Sequence, residues 1–272
     1  MRTVAKLLIH GAVGDRLYSK WASIRSRNAQ MRQFHESRLY LCQRALIGRH
    51  GTTVLNGPFR GMRYTEQILL DRLGGPRLLG SYECELHSVL DGVTWRNYEK
   101  VLDIGSAEGY YAVGIARLFG GNVYAFDTEP RERASCRELA IMNGVPDRVV
   151  IHDWADTRTL VSHCSGKRCF VICDCEGYEI KILSKAGIQA LRHSDFLVEC
   201  HDKTVPGVSE YIQASVARTH SARKLHARPR LAAGFPETHF LGPDADLVLN
   251  ERRGEDGVTW LWCQSLAWAK DA

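Results

Sequence analysis

Five side chains able to move a proton or hold a cation sit at or just after two apolar runs. The runs are CFVIC and DFLVEC, and the side chains are Asp174, Glu176, Glu179, Glu199 and His201. Carboxylates and imidazole are the usual general bases when they are held within reach of a hydroxyl. His201, two residues beyond Glu199, is the expected base, with Asp174, Glu176 and Glu199 around it. Glu176 has a second reading as a cap on the helix that follows. Asp174, Glu199 and His201 also form a carboxylate and imidazole set of the kind that suits several divalent metals, although no metal is assigned. Cys173 and Cys175 flank Asp174. On a continuous strand they would lie about 6.6 Å apart on one face, opposite Asp174, which is awkward for one tetrahedral zinc unless the strand breaks there. Packing in a sheet core is the default for such thiols.

A second constellation lies upstream. The run KVLDI ends in Asp103-Ile-Gly105-Ser106-Ala107-Glu-Gly109-Tyr110, and 22 residues past Gly105 another apolar run ends at Asp127-Thr128. Gly105 permits a tight turn and a close ligand, and the following helix offers free N–H groups. An acid at Asp127 suits the two hydroxyls of a ribose. Loop and acid together predict an adenosine-containing cofactor. A dinucleotide would want G-x-G-x-x-G so that its pyrophosphate sits on the helix N-terminus; here Ala107 takes the middle position. Asp103 would repel a pyrophosphate and attract an amine. S-adenosylmethionine, which has a ribose and an amine but no phosphate, is the expected cofactor. Trp154, Ala155 and Asp156 follow the third apolar run, where an adenine would lie. The alternative is an α/β turn with a capping aspartate and no ligand.

The elements that must position these residues are short apolar strands alternating with helices. Strands are expected at KVLDIG, NVYAFD, RVVIHD, CFVICD, DFLVEC and VTWLWCQS. Helices are expected after Gly109, over TEPRERASCRELAIMNG with Thr128 as N-cap, over 179–191, and over GVSEYIQASVART. Apolar rather than alternating strands imply a mostly parallel sheet covered on both faces. Ligands in such sheets bind beyond the carboxyl ends of the strands.

Composition narrows the class further. The 272 residues are 44% hydrophobic and 25% charged, as in ordinary globular proteins. Nine cysteines, an odd number without framework spacing, suit a reducing and cytoplasmic setting. No apolar run approaches the roughly 20 residues of a membrane helix. Residues 1–50 hold ten Lys/Arg and two Asp/Glu, a balance of +8. Subtraction from 36 and 31 leaves 26 and 29 in residues 51–272, a balance of −3. The head is read as a basic, helical N-terminal extension. The stretch VAKLLIHGAVG is broken by Lys6 and His10, unlike a secretory signal.

The segments LLGSYECEL, VLDIGSAEGYYAVGIA, VYAFDTEP and CDCEGYEIKIL resemble the FkbM-type class I methyltransferases, over residues 57–202. The resemblance implies a Rossmann-like, doubly wound sheet with an antiparallel last strand, S-adenosylmethionine as cofactor, and methyl transfer commonly to a hydroxyl. It implies a class I domain over 51–272 with a cofactor core at about 97–202. Asp103, Gly105 and Gly109 match the first cofactor motif, and Asp127 stands where the family often has Glu. Tyr82 and Glu83 match the GSYE element and are expected near the cofactor or the substrate mouth. The expected acceptor is a small molecule or glycan, with no firm nucleic-acid or membrane partner and no indication of oligomeric state. Three rivals remain: a nicotinamide dehydrogenase, a nucleic-acid methyltransferase using the basic head, and a non-catalytic binding module of the same fold.

Overall fold

The computed structural model describes residues 37–251 and 259–268. The first 36 residues of the basic head lie outside these; its remainder forms a helix, Arg38–His50, capped by the Ser37 side chain.

Among the described residues, seven strands form one sheet in the order β3-β2-β1-β4-β5-β7-β6. They are β1 (Lys100–Ile104), β2 (Val123–Phe126), β3 (Val149–His152), β4 (Cys169–Cys173), β5 (Asp195–Cys200), β6 (His220–His226) and β7 (Thr259–Ser265). β1 to β5 run parallel, while β7 pairs antiparallel with both β5 and β6. The chain winds outward from β1 to β3, then returns to the other side of β1 for β4. The switch point therefore lies between β1 and β4, where the open crevice of a doubly wound sheet forms.

The period of two along each strand splits the core into two layers. Val101, Phe170, Ile172 and Leu197 face one layer, with Tyr110, Tyr111 and Trp260. Leu102, Ile104, Val171, Cys173 and Val198 face the other. Both faces are buried, which is why the strands read as nearly continuous apolar runs. The register places Cys173 beside Val198, so Asp174 and Glu199 come next to each other just past the end of β4.

Three expectations about elements are corrected. The helix expected over 179–191 is two, Glu179–Ile182 and Lys185–Ala190, because Ser184 caps the second and interrupts the first. Thr128 is not an N-cap: the helix Pro130–Met142 begins after Glu129, without a side-chain cap. β6 was not expected, since HSARKLH is a polar edge strand with only two fully buried residues, His220 and Leu225.

Candidate active site

β1 delivers the glycine loop to the crevice. Gly105 has φ +86, and a Cβ there would lie 1.6 Å from the Asp174 carbonyl oxygen. The loop after β1 and the end of β4 thus touch backbone to backbone, a contact that only glycine permits. Ala107 adopts the left-handed region at φ 44, and its N–H donates to Asp127 Oδ2 at 2.8 Å. Asp127 Oδ1 accepts from the Glu129 N–H at 2.8 Å. Asp127 therefore ties the loop to the end of β2 while still facing the crevice, and each oxygen keeps a lone pair for another donor. Gly109, at φ +97, packs so closely on Cys136 that a Cβ would come within 2.7 Å of its sulfur.

The crevice holds a cleft of about 460 Å³. Its walls include Gly105, Ala107, Phe126, Asp127, Thr128, Trp154, Ala155, Asp174, Cys175 and Glu176. Six of the described lining residues are carboxylic acids (Asp127, Glu129, Glu132, Asp153, Asp174, Glu176), and none of the described ones is Lys or Arg. Trp154 and Tyr178, both exposed, meet edge to face with centroids 5.4 Å apart at the rim.

Several expected cofactor residues sit elsewhere. Asp156 does not line the cleft; its side chain accepts from the Arg158 and Thr159 N–H groups as the capping box of the helix Thr157–Cys164. Asp153, three residues earlier, lines the cleft instead. Its signal was its place immediately before Trp154. Tyr110 points into the core, packed at about 5 Å on Phe59, Tyr82 and Tyr111. Tyr82 belongs to the same aromatic cluster. Ser106 is buried, with its hydroxyl oxygen unpartnered. Asp103 is buried just below the loop, and its Oδ2 has no partner. Burial, only partly offset by the Ala112 N–H, pushes its carboxyl up to about 7.

The acids and the histidine converge at the ends of β4 and β5. Burial, the Glu199 and Glu83 charges and a hydrogen bond with Glu199 push the Asp174 carboxyl well above the usual carboxylate range. Asp174 and Glu199 are thus close enough that two negative charges there are disfavoured. Glu83 is buried at φ 45 and accepts a hydrogen bond from the Tyr111 hydroxyl. The non-glycine residues with positive φ among those described, Glu83, Ala107 and Glu176, all stand around this crevice. Strain of this kind gathers at working sites.

His201 Nε2 lies 3.6 Å from Asp174 Oδ1 and 3.5 Å from Glu176 Oε2, and Nδ1 lies 2.8 Å from Glu179 Oε1. Burial pulls the imidazolium down, but the Glu179 hydrogen bond and the charges of Glu199, Glu179 and Glu176 raise His201 overall. One ligand atom each from Asp174, Glu179 and His201 falls within 4.8 Å of the others. The set differs from the one expected, with Glu179 in place of Glu199. Glu179 Oε1 already accepts from His201 and from two backbone N–H groups, so the cluster is hydrogen-bonded as it stands.

Cys173 and Cys175 are free thiols with sulfurs 3.6 Å apart, closer than a continuous strand allows, because β4 ends at Cys173. Cys173 is buried and Cys175 lines the cleft. No helix among the described residues is long and apolar enough to cross a membrane.

The chain matches no family model and no curated protein sequence. Among solved structures it is similar to the O-methyltransferase TomG from Streptomyces achromogenes in complex with SAM, at 15% identity. That alignment covers 74% of this chain and 90% of that one, with a TM-score of 0.46. It is similar at 14% identity to an O-methyltransferase, so described without proof of activity, from Klebsiella pneumoniae, covering 84% and 91% with a TM-score of 0.44. An rRNA methylase from Streptococcus thermophilus is 12% identical, covering 62% and 88% with a TM-score of 0.44.

Proposed function

We propose that this protein is an S-adenosylmethionine-dependent methyltransferase of the FkbM type, acting on a hydroxyl of a sugar or small metabolite. The observation that carries the reading is the charge of the cleft. Among the described residues, six carboxylic acids and no Lys or Arg line it, next to a glycine loop and an acid at the end of β2. A pyrophosphate-bearing cofactor would meet repulsion there, whereas a sulfonium with an α-ammonium would be attracted. Asp103 Oδ2, left without a hydrogen-bond partner beneath the loop, fits such a ligand. The same charge disfavours a polyanionic acceptor such as RNA or DNA, whose affinity rests on Lys and Arg.

When bound, S-adenosylmethionine supplies the electrophilic methyl group. The protein aligns the acceptor oxygen, and positioning of this kind is worth about 7–11 kcal/mol. Asp127 serves the ribose hydroxyls, and Trp154, Ala155 and Asp153 serve the adenine. His201 Nε2, turned toward the end of β4, takes the proton that the acceptor hydroxyl loses. Asp174 and Glu199 flank that transfer and disperse the charge left on the imidazolium.

Calorimetry of the purified protein with S-adenosylmethionine and, separately, with NAD tests the cofactor. Labelled S-adenosylmethionine incubated with pooled glycans and small metabolites tests transfer. Binding of S-adenosylmethionine alone, with label entering a neutral hydroxylated acceptor, is expected. No binding and no labelled product would sink the reading.

A further inference from the structure

The turn between β4 and the next helix carries a second device. β4 stops at Cys173, and the chain reverses through Glu176 at φ 54 and Gly177 at φ 104. The reversal aims two backbone donors at one carboxylate: the Cys175 and Gly177 N–H groups reach Glu179 Oε1 at 3.0 and 3.2 Å. His201 Nδ1 reaches the same oxygen at 2.8 Å. The Glu179 side chain is 0% exposed. Burial acts to raise it, but the hydrogen bonds from His201 and the backbone hold it below the ordinary value, so it is ionised. An ionised carboxylate only accepts, and therefore the imidazole nitrogen facing it carries the hydrogen.

We infer that Glu179 is the positioning residue of this site: it fixes His201 as the Nδ1–H tautomer and leaves the Nε2 lone pair directed at the acceptor side, between Asp174 and Glu176. Its role in methyl transfer rests on the function proposed above; the tautomer itself does not. The groups that bear on the ring are Asp174 and Glu176 from the turn, Glu179 from the helix and Glu199 from β5. His220 shows the contrast. Its Nδ1 meets the Thr219 hydroxyl and its Nε2 meets the Leu191 and Ser194 carbonyls, so all its partners are neutral, and burial holds it below its ordinary value. It is a buried structural histidine, whereas His201 is held by a carboxylate at Nδ1 and meets Asp174 and Glu176 only at the longer 3.6 and 3.5 Å at Nε2.

The test is long-range proton–nitrogen NMR of the full chain labelled at histidine nitrogens, with His201→Asn assigning the resonance. Neutral His201 should be the Nδ1–H tautomer. Glu179→Gln keeps an oxygen for the three donors and removes the charge. The tautomer should persist, while protonation of His201 becomes at least about tenfold weaker, a midpoint shift of about one pH unit downward. Once transfer to an acceptor is measured, the same variant should lower kcat about tenfold and move the rising limb of the pH profile to lower pH. The KM for S-adenosylmethionine should stay unchanged, since a weaker base is a poorer catalyst that deprotonates earlier. A neutral His201 that is mainly Nε2–H, or a titration unmoved by Glu179→Gln, would overturn the assignment. Calorimetry with S-adenosylmethionine on the unaltered protein keeps the two ideas apart: no heat there defeats the methyltransferase reading and leaves the tautomer result standing.

Discussion

Two buried aspartates on neighbouring parts of the sheet have opposite fates. Asp195 opens β5 at the amino end of the parallel strands. Its Oδ2 accepts from the Tyr98 hydroxyl at 2.6 Å, its Oδ1 accepts from the Ser265 N–H at 2.7 Å, and Arg168 stands 3.9 Å away. Asp103 lies on β1, one residue from its carboxyl end, with Oδ2 unpartnered and its carboxyl pushed up to about 7 by burial. Both acids are almost fully buried. A buried carboxylate with its donors supplied joins elements together. One with an oxygen left without a donor is costly. The amino end of the sheet is finished by the chain itself, whereas at the carboxyl end the chain leaves a buried carboxyl oxygen without a partner.

The largest effect should come from forcing the loop after β1 away from the end of β4. Gly105→Ala places a methyl 1.6 Å from the Asp174 carbonyl oxygen, at a φ of +86 that alanine resists. The loop after β1 and the end of β4 must then separate. A misplacement of about 1 Å can cost roughly 100-fold in rate, so transfer from S-adenosylmethionine should fall about that far, and calorimetry should show weakened binding. Unchanged affinity would mean that the ligand does not use this crevice.

Asp195→Ala should act in the reverse sense. It strands the Tyr98 hydroxyl and the Ser265 N–H, each at about 1–3 kcal/mol. A loss of about 3 kcal/mol lowers Tm by about 5–10 °C in a chain of this size. Affinity for S-adenosylmethionine at a temperature where the variant is folded should not change. A variant that keeps its Tm but loses the ligand would abolish the distinction between the two ends.

How much of this was readable beforehand follows the same division. β1 to β5 and the glycine loop were legible because a strand buried on both faces has an apolar run as its signature, and a loop that touches backbone must carry glycine. β6 was not, because an edge strand with exposed Arg223 and Lys224 lacks that signature. Asp153 and Asp156 are indistinguishable by type, and only the start of the helix at Thr157 makes one a cap and leaves the other in the cleft. Tyr110 follows Gly109 in the loop motif, yet its direction is set by Phe59 and Tyr82, which come from distant parts of the chain. The partnership of Glu179 with His201 spans 22 residues and needs the left-handed turn at Glu176 and Gly177 to exist.

The finest test of the comparison is proton linkage at Asp103. In the folded protein its carboxyl keeps a proton up to about pH 7, against an ordinary value of 3.8. Between those values the folded state binds the extra proton, so this residue's contribution to stability falls as pH rises, by about 1.4 kcal/mol per pH unit at most. Asp103→Asn has no such proton to lose. Its stability relative to the unaltered protein should therefore improve between pH 5 and 6, as read from urea midpoints at the two pH values. A cationic ligand changes the sign of the preference, because an ammonium favours the ionised carboxylate. Binding of S-adenosylmethionine at pH 6 should therefore release a proton from Asp103. Calorimetry in two buffers of different ionisation enthalpy reads that release directly, and Asp103→Asn should reduce it. An equal release from both proteins would place the ammonium against another acid of the cleft, and Asp103 would then be a buried acid of the fold, like Asp195, rather than part of the ligand site.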